Sequence, residues 1–276
     1  MVYEIIVGDS RTELAKLPSE SVDCVITSPP YYNLRDYGVE NQIGTEIALQ
    51  RYIDNLMDIF AEVKRVLKPT GTFWLNMGDT YKNKQALLIP HLVAIELQKD
   101  GWIVRQDIVW AKTNPMPEPA KDRCVRAHEY IFLLSKNKKY HFDYEAIQEP
   151  VANPNRKNYV SGSRSNGRNN DRNDNDKHER EKNVIYTKRN KRSVWTTSVK
   201  AYPEAHFAVY PPDLIEPCIL AGCPKDGVVL DPFAGSGTTA GVAEALGRNS
   251  IMIELNAEYA KLIPSRIEDI LRGYGK

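Results

Sequence analysis

The chain has 276 residues, of which 42% are hydrophobic and 26% are charged, and its formal net charge is +1. These values are ordinary for a globular protein that is long enough to bury a large core. No run of 18 apolar residues occurs, and MVYEIIVGDS at the start lacks the basic and apolar regions of a secretory signal. We therefore expect no membrane span and no secretion.

The cysteines and histidines indicate neither a disulfide scaffold nor a metal centre. The four cysteines are Cys24, Cys124, Cys218 and Cys223, and no two of them form a C-x-x-C pair. The histidines show no ligand-like spacing with these cysteines. We therefore predict no metal site and a reduced, cytoplasmic compartment.

Short apolar runs alternate with helical patterns along most of the chain. The predicted strands are 4–7, 22–27, 72–76, 102–110, 129–135, 227–233 and 250–255. The predicted helices are 12–17, 52–68, 86–101, a helix that ends near Leu246 and a last one from about Ala257 to Leu271. Pro69 and Gly71 are expected to stop the second helix before its strand. This alternation predicts an α/β fold with a largely parallel sheet.

Charge is concentrated in residues 156–192, which hold twelve basic and five acidic side chains, a balance of +7 that leaves −6 for the rest. The segment has few apolar residues and cannot form a core, so it is either a solvated loop or a loop that orders on phosphates. Both descriptions can hold, for the free and the bound protein. The candidate DNA-binding residues are Arg156, Lys157, Arg164, Arg168, Lys188, Arg189, Lys191 and Arg192.

A glycine turn, DPFAGSGTTA at 231–240, follows one predicted strand and opens a helix. Gly235 and Gly237 allow a tight turn and the close approach of a ligand. The pattern G-x-G-x-x-A is also found in dinucleotide enzymes, so an NAD-dependent oxidoreductase stays an alternative. Asp231 and Glu254 end neighbouring predicted strands, and a carboxylate at Asp231 suits a cationic nucleoside such as S-adenosylmethionine better than a pyrophosphate.

A second motif, Ser28-Pro29-Pro30-Tyr31, follows the strand VDCVIT. The two prolines stiffen the backbone and lack N–H donors, which leaves carbonyl oxygens and the Ser28 hydroxyl as acceptors beside the Tyr31 ring. Acceptors next to a stacking ring suit the exocyclic amino group of a flipped base. We therefore interpret these four residues as the catalytic motif.

TSPPYY and DPFAGSGTT together resemble the amino-methylating DNA methyltransferases, which make N4-methylcytosine or N6-methyladenine from S-adenosylmethionine. The order of the two motifs is similar to that of the permuted beta group. RVLKPTGTFWLN at 65–76, WAKTNPMPEP at 110–119 and HFAVYPPDLIEPCI at 206–219 also have counterparts there. The resemblance implies a Rossmann-like methyltransferase fold with a circularly permuted sheet and an inserted basic target-recognition region.

The resemblance also implies a domain division and roles for individual residues. Residues 1–140 and 201–276 would form the catalytic domain, and 141–200 would form a partly flexible insertion. The residues that would cradle the methionine part of the cofactor are Asp231, Phe233, Gly235, Ser236 and Gly237. Glu254 would hold the ribose hydroxyls, and Asp9 would meet the adenine amine. Thr238, His206 and Phe207 would line the same pocket.

In that family, serine before Pro-Pro-Tyr is associated mostly with cytosine, so Ser28 favours N4 of cytosine over N6 of adenine. The implied partner is double-stranded DNA, with a possible cognate restriction endonuclease, and the protein is expected to be a monomer or a homodimer. A non-catalytic DNA-binding module and an RNA or protein substrate remain alternatives. Cys24 lies inside a predicted strand and offers no nucleophile, so we expect direct transfer without a covalent intermediate.

Overall fold

The computed structural model describes residues 2–152, 187–199 and 209–275. Within these ranges the strands are β1 (Tyr3–Val7), β2 (Val22–Thr27), β3 (Leu67–Met77), β4 (Tyr81–Lys82), β5 (Gln85–Ala86), β6 (Ile103–Lys112), β7 (His128–Ser135), β8 (Glu149–Pro150), β9 (Lys188–Arg189), β10 (Val194–Thr197), β11 (Val228–Asp231) and β12 (Asn249–Glu254). The helices are α1 (Ser10–Glu13), α2 (Leu49–Val66), α3 (Ile89–Lys99), α4 (Pro212–Gly222), α5 (Thr238–Ala245), α6 (Ala257–Ala260) and α7 (Ile263–Gly273), and a 3-10 turn spans Leu14–Lys16.

Eight of the strands form one sheet in the order β1-β12-β11-β2-β3-β7-β6-β10. Only β7 runs against its neighbours, so the sheet is largely parallel, as the sequence predicted. The two C-terminal strands lie between β1 and β2, since β12 pairs with β1 and β11 pairs with β2. The sheet is therefore complete only when both ends of the chain meet, which confirms the permuted α/β fold.

Helices cover both faces of the sheet, and apolar clusters lie between the sheet and the helices. On one face α2 buries an apolar stripe that includes Ile53, Leu56, Ile59 and Val63, together with α3. On the other face, residues of α4, α5 and α7 pack in a second cluster around Trp74. No helix in the described ranges has the length and apolar character needed to cross a bilayer.

The start of β3 differs from the sequence prediction. The preceding helix ends at Val66 and the strand begins directly at Leu67, so Pro69 and Gly71 lie inside β3 rather than before it. The register with β2 shifts here, because Val22 pairs with Leu67 whereas Cys24 pairs with Thr72. Such a bulge accommodates a proline and brings the glycine close to the neighbouring backbone.

Part of the predicted insertion, residues 141–200, pairs with the main sheet. Strand β10 pairs in parallel with β6 and forms the edge of the main sheet. Trp195 in β10 is buried in the second core cluster, beside Trp74. The described end of the predicted insertion thus packs in the core of the main sheet, because the Trp195 side chain completes that face of the sheet.

Candidate active site

An open cavity lies at the edge of the sheet where the parallel strands end. Strands β1, β2, β11 and β12 all deliver the residues that follow them to this edge. The sequence-predicted residues that line the cavity are Asp9, Ser28, Pro30, Phe233, Gly235, Ser236 and Glu254. Residues from both predicted motifs, which are far apart in the chain, therefore meet at one site.

The two glycines of the turn before α5 have different roles. Both have positive φ angles, +53° at Gly235 and +87° at Gly237. A Cβ placed on Gly235 would meet no atom within 4 Å, so this position leaves open space at the cavity wall. A Cβ on Gly237 would lie 2.7 Å from Ile263 Cγ2 in α7. Gly235 thus keeps room for a ligand, whereas Gly237 allows the helix to pack closely.

Asp231 lies behind the cavity wall and not on it. Its carboxylate is fully buried and accepts hydrogen bonds from Thr27 Oγ1 at 2.6 Å and from the Phe233 backbone N–H at 3.0 Å. Tyr210 Oη at 2.7 Å and Thr239 Oγ1 at 2.6 Å donate to its other oxygen. Burial raises the pKa of Asp231 although these donors lower it. The protein's own donors thus surround the carboxylate that the sequence predicts to contact a cofactor tail.

Glu254, at the end of β12, lies on the cavity wall. Its two carboxylate oxygens accept the backbone N–H groups of Gly235 at 2.7 Å and Asn256 at 2.8 Å. Burial raises its pKa, and these hydrogen bonds act in the opposite direction. The carboxylate is held rigidly and retains lone pairs for hydroxyl groups of a ligand.

Asp9 lies on the cavity wall at the start of α1. One oxygen accepts the Arg11 backbone N–H at 2.9 Å, which caps the helix, and the guanidinium pairs with the other oxygen at 2.5 Å. Burial alone would raise the pKa of Asp9, but hydrogen bonds and charge from Arg11 outweigh it and lower the pKa. Asp9 is therefore an ionised acceptor at neutral pH.

Aromatic and unpaired polar groups complete the cavity. The rings of Tyr37 and Tyr259 meet edge to face with centroids 6.4 Å apart. Gln42 Nε2 and Ser236 Oγ are buried in the lining and have no hydrogen-bond partner among the described residues. Buried polar atoms are normally paired, so these two atoms fit a ligand with its own donors and acceptors.

The motif Ser28-Pro29-Pro30-Tyr31 brings only some of its residues to the cavity. Ser28 and Pro30 line it, whereas Pro29 is buried and Tyr31 is half-buried. The Pro30 carbonyl already accepts Tyr52 Oη at 2.9 Å. The Ser28 hydroxyl is therefore the motif's side-chain acceptor at the cavity.

The Tyr31 hydroxyl belongs to a polar network behind the motif. Tyr31 Oη donates to Glu129 Oε2 at 2.6 Å and accepts from Ser28 Oγ at 3.2 Å. Asn76 Nδ2 and Lys112 Nζ also contact this network. The sequence motifs did not predict Asn76, Lys112 or Glu129 as site residues. The sequence signal that could have indicated them is a polar residue at the end of an apolar strand that reaches the cavity edge of the sheet.

Three further residues of the site were also missed. Ser10 Oγ donates to the Pro232 carbonyl and so joins the loop after β1 to the loop after β11. Tyr210 donates to Asp231, and Tyr37 forms part of the cavity wall. A small polar residue directly after a predicted strand was the available signal for Ser10.

Some predicted cofactor residues do not line the cavity. Thr238 is buried, and its hydroxyl accepts Arg266 Nε at 3.4 Å. His206 and Phe207 lie outside the described residues. The chain directly after them does reach the site, since Val209 lines the cavity.

The described basic residues of the predicted DNA-binding segment lie near β9 and β10. Arg189 and Arg192 both pair with Glu149 Oε1, at 2.8 and 2.6 Å. Lys191 lies over the Trp195 ring at 5.0 Å, and Lys188 is exposed. Arg156, Lys157, Arg164 and Arg168 lie outside the described residues. Two of the predicted phosphate contacts are thus engaged with a carboxylate.

One cavity on a permuted, largely parallel sheet brings together a glycine turn, a strand-end glutamate and a Ser-Pro-Pro-Tyr motif. This combination defines the class of nucleoside-cofactor methyltransferases. Residues 22–265 match the family model of N6 and N4 DNA methylases. The chain belongs to this DNA methylase family and is a DNA methyltransferase. In the described ranges no three His, Cys, Asp or Glu side chains are grouped as metal ligands.

Relatives from bacteria cover nearly the whole chain. The Type II methyltransferase M.SmaI of Serratia marcescens is 41% identical over 96% of this chain and 90% of its own length. M.XycI of Xanthomonas campestris pv. cyanopsidis is 40% identical over 95% of this chain and 86% of its own length. These similarities favour the methyltransferase over the NAD-dependent and non-catalytic alternatives.

Solved structures share the fold. The PvuII DNA methyltransferase, which is cytosine-N4-specific, matches with a TM-score of 0.70 at 22% identity, over 98% of this chain and 90% of that one. TTHA0409 of Thermus thermophilus, a putative DNA modification methylase solved with S-adenosyl-L-methionine, matches with a TM-score of 0.66 at 24% identity. The match covers 99% of this chain and 97% of that one. At these identities the likeness establishes the architecture.

Proposed function

We propose that this protein transfers a methyl group from S-adenosylmethionine to N4 of a flipped cytosine in double-stranded DNA. The observation that supports this most directly is the position of Ser28 on the same cavity as Gly235 and Glu254. An acceptor for an amino group thus lies beside a site suited to a nucleoside cofactor. Restriction-modification relatives support a role as the modification enzyme of a Type II system.

The cavity suits S-adenosylmethionine on grounds of its own. Glu254 offers lone pairs to ribose hydroxyls, Asp9 is an ionised acceptor for the adenine amine, and Gly235 leaves room for the methionine part. Ser236 Oγ and Gln42 Nε2 have no hydrogen-bond partner within the described part of the chain, and a bound cofactor would offer them partners. When bound, the cofactor supplies an electrophilic methyl group on a sulfonium.

Ser28, on the cavity wall, would accept a hydrogen bond from the exocyclic amine, and the half-buried Tyr31 ring would offer a stacking face. Accepting that hydrogen bond makes the nitrogen lone pair more available for in-line attack on the methyl group, and the amine releases its proton after the transfer.

None of the described cysteines lines the cavity, so a cysteine nucleophile is not provided at this site. Cys218 follows Pro217 inside α4, and both it and Cys24 are buried with raised pKa values. Burial raises the pKa of Cys223 to about 12. These thiols therefore stay protonated, which agrees with direct transfer of the methyl group.

The choice of cytosine depends on Ser28, since serine at this motif position favours cytosine in the family. The cytosine-N4 specificity of the PvuII structure agrees with this choice. Methylation of adenine N6 by the same fold is the alternative, because the serine hydroxyl accepts a hydrogen from either amine.

The test is to incubate unmethylated bacterial DNA with the protein and deuteromethyl S-adenosylmethionine, digest it to nucleosides and identify the labelled product by mass. We expect N4-methylcytosine at one recognised sequence. Labelled N6-methyladenine would overturn the choice of base, and no label in DNA would overturn the proposed function. Size measurement with and without a duplex would distinguish a monomer from a homodimer.

A further inference from the structure

A chain of hydroxyl groups connects the cavity to a carboxylate behind it. Ser28 Oγ donates to Tyr31 Oη at 3.2 Å, and Tyr31 Oη donates to Glu129 Oε2 at 2.6 Å. Ser28 lines the cavity, whereas Glu129 does not, and the Glu129 side chain is only 13% exposed. Glu129 therefore reaches the site only through other side chains.

The carboxylate sets the direction of this chain. An ionised carboxylate only accepts hydrogen bonds, so the Tyr31 hydroxyl must donate its hydrogen to Glu129. Tyr31 Oη then presents lone pairs to Ser28, whose single hydrogen points towards Tyr31 and away from the cavity. A lone pair of Ser28 Oγ is left for a ligand.

Asn76 supports the same direction. Its Nδ2 lies 3.2 Å from Ser28 Oγ, 2.9 Å from Tyr31 Oη and 2.9 Å from Glu129 Oε2. The amide nitrogen must face these atoms, because the amide oxygen would repel the carboxylate at that distance. Asn76 is therefore a donor to the network and does not compete for the Ser28 hydrogen.

The network is fixed at both ends. Lys112 Nζ contacts the second oxygen of Glu129 and compensates its charge. The Tyr31 ring lies against the chain at Gly78, where an added Cβ would be 2.6 Å from Tyr31 Cε2. Burial and the neighbouring Glu129 raise the pKa of Tyr31 well above its ordinary value of 10.0, so the phenol keeps its hydrogen.

We propose that Glu129 is a positioning residue for methyl transfer, which acts through Tyr31 to orient the Ser28 hydroxyl as an acceptor for the amino group. This inference rests on the proposed function. The orientation of the Ser28 hydroxyl affects its hydrogen bond with the amino group during methyl transfer. The residues proposed to hold the cofactor are not part of the Glu129–Tyr31–Ser28 chain. Glu129 is therefore expected to control turnover and not the binding of cofactor or DNA.

The test compares steady-state methylation kinetics of the wild type, Glu129→Gln, Tyr31→Phe and the double variant. A glutamine at 129 brings a donor to Tyr31 Oη, so the direction of the chain is no longer set. We expect E129Q to lower kcat at least tenfold, with KM for DNA and Kd for S-adenosylmethionine changed less than twofold. If Glu129 acts through Tyr31, the double variant is within twofold of Y31F.

Asp23→Asn is the matched control. Asp23 is also paired with a lysine, Lys68 at 2.7 Å, and its side chain is 12% exposed, but it lies at the opposite end of β2 from Ser28. We expect D23N to lower thermal stability and leave kcat unchanged. Lys112→Met is measured in the same way in case E129Q does not fold. This variant keeps the Glu129 carboxylate but removes the partner of its second oxygen. Its kcat is expected to fall with KM unchanged.

Values of kcat for E129Q or K112M within twofold of the wild type would overturn the inference. The inference would also be overturned if the fold-decrease in kcat of the double variant equalled the product of the fold-decreases in E129Q and Y31F. A wild-type protein that methylates no DNA would refute the proposed function instead, so the two failures are distinguishable.

Discussion

Thr27 donates a hydrogen bond of 2.6 Å to Asp231, and the two residues are 204 positions apart in the chain. Thr27 precedes the Ser-Pro-Pro-Tyr motif, and Asp231 opens the glycine turn. The bond joins the ends of the neighbouring strands β2 and β11 behind the cavity. It therefore sets the position of the Ser-Pro-Pro-Tyr motif relative to the glycine turn.

Thr27→Val should weaken both stability and cofactor binding. Valine has nearly the same shape but leaves a buried carboxylate oxygen with one donor fewer, which costs about 1.5–3 kcal/mol of unfolding free energy. Urea unfolding and calorimetric titration with S-adenosylmethionine measure the two effects. Thr197→Val is the control, because Thr197 Oγ1 is buried without a hydrogen-bond partner among the described residues. Equal stability losses in the two variants would contradict the role of the Thr27–Asp231 bond.

Alanine substitutions at the two glycines should separate ligand binding from packing. Gly235→Ala strains a positive φ by about 1–2 kcal/mol and puts a methyl group in the cavity, so cofactor affinity should fall at least tenfold. Gly237→Ala adds a clash with Ile263 to similar strain and should cost about 2–4 kcal/mol of stability. Thermal melts with and without cofactor distinguish the two. A G235A variant that binds cofactor normally would show that the open space is not part of the cofactor site.

Ser28→Ala should lower kcat by about a hundredfold, a loss typical of one catalytic hydrogen-bond partner. Cofactor affinity should be unchanged, since the proposed cofactor contacts come from other strand ends. Rapid-quench methylation and equilibrium binding provide the two values. Ser265→Ala, on the exposed outer part of α7, is the control for loss of a serine hydroxyl. Full turnover in S28A would exclude Ser28 as the acceptor.

Deletion of 160–182 should reduce DNA affinity and its dependence on salt but spare the cofactor. Residues 160–182 hold six basic side chains, including Arg164 and Arg168, and five acidic ones, and each lost phosphate contact removes about 0.9 from the slope of log affinity against log salt. Arg189 and Arg192 stay in place with Glu149, because they lie after the deletion. Titration of a labelled duplex at several salt concentrations measures the slope. An unchanged slope would mean that DNA contacts lie elsewhere on the protein.

Several features of this protein follow from local sequence. The alternation of apolar strands and amphipathic helices determined the α/β class, because each pattern depends only on residues close in the chain. The positive-φ glycines and the strand-end carboxylates could be located for the same reason. Asp9 and Glu254, which the sequence predicts as cofactor-binding residues, both line the cavity, since residues after parallel strands all reach one edge.

Other features depend on contacts between distant segments. Asp231 was expected to face a ligand, but Thr27, Thr239 and Tyr210 surround it, and no local pattern shows which donors will meet a buried carboxylate. The edge position of β10 could not be inferred either. It depends on Trp195 packing in the second core cluster, and Trp195 follows the polar segment 156–192 in the chain.

The sequence by itself determined which chemistry is present: a rigid acceptor motif, a glycine turn and the carboxylates that suit a nucleoside cofactor. Only the tertiary structure decided which of these groups face the cavity and which hold it in shape. Glu129 is the clearest case, since strand pairing between β6 and β7 and between β7 and β3 brings it to Tyr31. Hydrogen-bond direction and burial are properties of these long-range contacts, and they distinguish Ser28, which lines the cavity, from Tyr31 and Glu129 behind it.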